Sequence, residues 1–142
     1  MQLGKLLGVD YGDRRTGLAI SDISGFLASG IGYIRESGMK NTAIRVAKEA
    51  KERGATGIVV GLPKNMDGTE GFRADAVKAF VELLKGECDL PIYLFDERLS
   101  TMEAHTLLSL TGTHGQKRKE RVDTLSAQII LQDFMDRERN KG

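Results

Sequence analysis

The chain has 142 residues, enough for one domain with a sizeable core, and its 40% hydrophobic and 29% charged residues make an ordinary globular mixture. A net charge of +1 excludes wholesale electrostatic attraction to nucleic acid, so any such binding must come from a local patch. Cys88 is the only cysteine, which excludes an internal disulfide and a structural zinc site and fits a reducing cytosol. The N-terminus lacks the apolar stretch of a leader, and no uncharged run approaches membrane-spanning length, so the expectation is a cytoplasmic protein with no membrane partner.

Residues 5–10 read as a buried strand ending at Asp10, with Gly12 allowing a tight turn behind it. Thr16 to Ser21 reads as a second strand, and a third runs from about Phe26 to Ile34. Three strands joined by short turns predict an antiparallel meander. The period then changes. Ala43, Val46, Ala47 and Ala50 recur at helical spacing, and Gly54 stops that helix. Gly57 to Gly61 is a short apolar strand, followed by a loop from Leu62 to Gly68. Phe72, Ala76, Ala79, Phe80, Leu83 and Leu84 predict the apolar face of a second helix. Pro91 opens a strand that delivers Glu97. Ser100 and Glu103 have the spacing of a capping box, so a third helix should follow and end at Gly112. Thr113 to Lys119 reads as a basic loop, and a last helix runs from about Glu120 to Glu138, with a fraying tail. Strands alternating with helices in the second half imply parallel pairing. The expected architecture is α/β: a five-stranded mixed sheet with helices packed on it, in a single domain over residues 1–142.

Three acids sit at element ends: Asp10, Glu97 and Asp123. Ala127, Ile130 and Phe134 share the helical face of Asp123, so that acid tops an apolar stripe, while Thr124, Gln128 and Gln132 belong to the polar face. Each acid alone has an ordinary reading as a turn former, an ion-pair partner or a helix-dipole complement. Together they ask for more. Two like charges about 4 Å apart repel by roughly 4 kcal/mol at an effective dielectric near 20. Converging carboxylates therefore call for a cation, and an all-oxygen donor set without matching Cys or His selects Mg2+ or Mn2+. Such ions drive phosphodiester hydrolysis.

Four stretches carry a resemblance. Gly8-Val9-Asp10-Tyr11-Gly12-Asp13-Arg14-Arg15-Thr16-Gly17, Val60-Gly61-Leu62-Pro63-Lys64-Asn65-Met66-Asp67-Gly68, Asp96-Glu97-Arg98-Leu99-Ser100-Thr101, and Val122-Asp123 through Ile129-Ile130-Leu131 occur in this order over nearly the whole length. The chain resembles the YqgF family of bacterial pre-ribosomal-RNA nucleases, also described as Holliday-junction-resolvase-like. The resemblance implies an RNase H-like fold, Asp10, Glu97 and Asp123 as the acidic triad and metal ligands, and a cytoplasmic enzyme that matures the 5′ end of small-subunit ribosomal RNA. Related junction resolvases carry a second acid close to the last one. This chain has Ser126 three residues after Asp123, with Glu120, Asp96, Asp13 and Asp67 as possible substitutes.

Arg15 and Arg98 are candidate phosphate contacts, with surface ion pairing as the plain alternative. Lys117, Arg118, Lys119 and Arg121 form a basic cluster before Asp123 and are expected to bind the substrate backbone. Aromatic residues make up 6% and show no clustering in sequence, which does not favour base stacking. His105 and His114 lack metal-pair spacing. The expected partner is nucleic acid, either precursor ribosomal RNA or branched DNA, bound by a monomer or weak homodimer. The rivals are a dimeric four-way-junction resolvase, a non-catalytic RNA-binding or regulatory factor, and an actin-like ATPase, for which 142 residues supply too little chain.

Overall fold

The structure, a computed structural model, describes residues 4–64, 67–96 and 115–141; for 115–123 and 141 the backbone alone is described. Five strands, β1 (Leu6–Asp10), β2 (Thr16–Ser21), β3 (Ala28–Ile34), β4 (Gly57–Leu62) and β5 (Ile92–Asp96), form one sheet in the order β3-β2-β1-β4-β5. The helices among the described residues are α1 (Gly38–Glu52), α2 (Phe72–Lys85) and α3 (Gly115–Lys141). β1, β2 and β3 form the expected antiparallel meander, and β4 and β5 add in parallel to the other side of β1. β1 is therefore central. β4, covered on both faces, is buried at all six positions, the pattern of an interior parallel strand.

Alternation along the strands divides the core in two. Leu7, Val9, Leu18, Ile58 and Val60 pack with Val46 of α1 and Phe80 and Leu84 of α2. Leu6, Ala19, Val59 and Phe95 pack with Ala127, Ile130, Leu131 and Met135 of α3. The sheet is thus sandwiched, with α1 and α2 on one face and α3 on the other. α3 comes close because two strands lack side chains beneath it. A Cβ on Gly8 would lie 2.8 Å from Leu131 Cβ and 3.0 Å from the Ala127 carbonyl oxygen, and one on Gly30 would lie 2.5 Å from Thr124 Cγ2.

Several boundaries differ from expectation. β3 begins at Ala28, because the Asp22 carboxylate accepts the Phe26 and Leu27 N–H groups at 2.8 and 2.9 Å and holds those residues in a turn. A shift of register between Leu18 and Ala19 leaves an extra residue in β3, where Gly32 has φ +102°. The buried stripe of α2 is Ala74, Val77, Phe80, Val81 and Leu84; Ala79 points outward and Phe72 is 82% exposed. Residues 115–119, expected in a basic loop, are helical, since Gln116 to Arg121 are all good helix formers. The tail does not fray at Glu138. The Arg139 guanidinium donates to the Gly25 carbonyl at 2.7 Å, pairs with Asp136 and lies 4.4 Å from the Phe26 ring centroid. The helix expected to follow Ser100 lies outside the described residues.

Candidate active site

Asp10 is the last residue of β1 and is partly buried. Leu6 and Gly8 face α3, whereas Leu7, Val9 and Tyr11 belong to the α1/α2 side. Alternation therefore turns Asp10 toward the α3 face. Because β1, β4 and β5 are parallel, their C-terminal ends share one edge of the sheet, and Asp96 closes β5 at that edge, paired with Leu62. Tyr93 and Phe95 meet Phe134 of α3, so Asp96 alternates to the opposite face from Asp10. This makes Asp96 a poor substitute for a second metal-binding acid.

α3 runs toward the same edge. Gln132 meets Ala28 at the level of Leu6, Ala127 lies over Gly8, and Thr124 lies over Gly30. Gly30 pairs with Ala19 and Ala19 with Gly8, so Thr124 and Ala127 lie over the same level of the sheet and α3 is inclined to β1. The backbone at residue 123 continues from there in the direction of the Asp10 end of the strand. Ala127, Ile130 and Phe134 are buried, as the stripe below Asp123 requires. Thr124, Gln128 and Gln132, expected on a solvated face, are half-buried against β3 instead. Ser126 is 1% exposed, and its hydroxyl has no hydrogen-bond partner among the described residues.

The other candidates separate clearly. Glu97 and Arg98 lie outside the described residues. Lys117, Arg118, Lys119, Glu120 and Arg121 occupy the opening turns of α3, upstream of residue 123. Arg15 is half-buried in the β1–β2 loop, its carbonyl only 2.5 Å from where a Gly12 Cβ would stand. Asp67 caps its own turn, accepting from the Thr69 N–H at 2.9 Å and the Thr69 hydroxyl at 2.7 Å. Asp13 is exposed and lines a cleft on the α2 side. Among the described residues, no three of His, Cys, Asp and Glu gather to hold a metal; of the expected triad, only the Asp10 side chain is described.

Aromatic residues do cluster in space. Tyr11 stacks on Phe80 with centroids 4.5 Å apart, and Phe134 meets both Tyr93 and Phe95. Tyr11 also helps line the cleft that contains Phe72 and Arg73. The sequence signal for this was the placement of Tyr11 directly after Asp10. Burial, and then the nearby Asp13 charge, push the Tyr11 hydroxyl above its usual pKa.

The sheet order, the helical layers and an acid at the end of the central strand define an RNase H-like nuclease fold of the RuvC type. Thermus thermophilus RuvC, solved in complex with a Holliday junction substrate, superposes with a TM-score of 0.62 at 12% identity, covering 98% of each chain. The fowlpox virus Holliday junction resolvase superposes with a TM-score of 0.53 at 10% identity, covering 94% of this chain and 99% of that one. The profile of the family described as RuvX, Holliday junction resolvase, matches residues 4–137. A relative from Thermoanaerobacter pseudethanolicus, named "Putative pre-16S rRNA nuclease", is 43% identical over 138 residues, covering 96% of this chain and 99% of its own. Another of the same name, from Lactiplantibacillus plantarum, is 44% identical over 136 residues, covering 94% of each. The chain belongs to the RuvX Holliday junction resolvase family. It is a nuclease, a phosphodiester hydrolase.

Proposed function

We propose that this chain, acting as one domain over residues 1–142 in the cytoplasm, is a divalent-metal-dependent nuclease that trims the 5′ end of precursor 16S ribosomal RNA. The observation that carries this reading is the place of Asp10 at the end of the central strand, on the side of the sheet that α3 covers. Relatives above 40% identity over nearly full length support the RNA substrate by their name. Asp10 offers a hard oxygen donor of the kind Mg2+ and Mn2+ prefer. Asp10, Glu97 and Asp123 would hold the metal, which when bound supplies an activated water and charge stabilisation at the phosphate. Asp10, at the end of the central strand, would fix where the cation sits and so where the scissile phosphate lies. Arg15, Arg98 and the cluster of Lys117, Arg118, Lys119 and Arg121 hold the flanking backbone. The products are a 5′-phosphate and a 3′-hydroxyl.

The test uses purified protein with a transcript spanning the 5′ precursor region and with four-way DNA, in Mg2+, in Mn2+ and in EDTA. Asp10→Asn is expected to lose cleavage while retaining its circular dichroism spectrum, and EDTA should stop the parent. Full turnover in either condition overturns the metal mechanism. Cleavage of the DNA junction alone moves the substrate to branched DNA, the reading that the family description favours.

A further inference from the structure

Phe72 is 82% exposed, more than any other large apolar residue described, although it opens a well-packed helix. It lines a cleft of about 190 Å³ with Tyr11, Gly12, Arg73 and Val77. An apolar cavity of about 150 Å³ takes one benzene ring, so this cleft has room for a planar ring and is open on one side. We propose that it receives one unpaired base of the substrate strand, stacked on Phe72, next to the scissile phosphate at the Asp10 end of β1.

Three observations argue for a base. The first is position. Asp10 and Tyr11 are consecutive, and alternation sends the carboxylate to the α3 face and the ring to the α2 face. A strand lying across this edge of the sheet can place a phosphate on one side and its neighbouring base on the other. The second is rigidity. Tyr11 is held by its stack on Phe80, so the cleft wall is set before substrate arrives. The third is charge. One acid, Asp13, and one base, Arg73, line the cleft, so its lining carries no net charge and suits a neutral ring. The Arg73 guanidinium is also of the kind that pairs with the phosphate of the same strand. Arginine and aromatic faces together are the usual equipment for single-stranded nucleic acid.

This inference rests on the nuclease reading for its substrate, and the experiment separates the two. An oligonucleotide carrying 2-aminopurine at an unpaired position beside the cleavage site is bound to Asp10→Asn protein, so that no turnover intervenes. Binding should quench the fluorescence. Adding Phe72→Ala should abolish the quench and weaken binding by about tenfold, whereas Phe72→Trp should keep both. A fully paired duplex should bind equally with or without Phe72→Ala. Because Phe72 is exposed, the substitution spares the core, and circular dichroism checks this. Unchanged quench and affinity in Phe72→Ala, or equal weakening on the duplex, overturns the base site and leaves the nuclease standing. A parent protein that quenches the probe but never cleaves overturns the nuclease reading and leaves the base site standing.

Discussion

At the scale of single residues, the Asp22 carboxylate organises the β2–β3 turn. It accepts hydrogen bonds from the Ser24 hydroxyl and the Leu27 N–H, and from the Phe26 N–H, which together lower its pKa to about 2 from an ordinary 3.8. A lowered folded-state pKa means that its contribution to stability is complete above the unfolded value and is lost as pH falls from about 3.8 toward about 2. An NMR titration should find a midpoint near 2 for Asp22, and Asp22→Asn should flatten the acid limb of the stability curve in that window. Ser126 makes the opposite case. Its buried hydroxyl has no partner among the described residues, so Ser126→Ala should be neutral or stabilising by up to about 1 kcal/mol in urea denaturation. Cleavage should persist in that variant; its loss would give the hydroxyl a functional role.

At the scale of elements, α3 joins the core to the edge strand. Gln132 accepts the Ala28 N–H at 2.9 Å and donates to the Phe26 carbonyl at 2.7 Å and to Asp136 at 3.1 Å. Edge strands leave such backbone groups open, and here a helix side chain engages them. Gln132→Ala should cost about 1–2 kcal/mol by thermal or urea unfolding. The sheet topology was legible in sequence because period-two runs and helical spacing alternate cleanly along the chain. The start of α3 was not, because Lys117, Arg118 and Lys119 are polar and carry no apolar period. The α2 face was misread because Phe72 looks like the first residue of a stripe that begins at Ala74. Of the candidate site, Asp10 was legible as the end of an apolar run, and Ala127, Ile130 and Phe134 are buried as their spacing required. The aromatic cleft was hidden, since Tyr11, Phe72 and Phe80 meet only after β1 and α2 pack together.

At the scale of the whole molecule, charge is nearly balanced, so attraction to a polyanion has to be local. The helical placement of residues 115–121 puts Lys117 and Arg121 one turn apart, with Arg118 and Lys119 between them. Replacing all four with Gln should reduce the log–log salt slope of nucleic-acid binding by up to about four units, roughly one for each phosphate no longer neutralised. An unchanged slope would remove this segment from the interface. The circular dichroism spectrum should change little, since Gln is also a good helix former.

The long reach between Gln132 and Ala28, 104 residues apart in the chain, carries a consequence for folding. α3 is the layer that covers Leu6, Ala19 and Val59. Contacts so distant in sequence are slow to form. Until α3 docks, Asp10 stands on an open face of the sheet. Cleavage by a refolding chain is therefore expected to appear only as that helix settles.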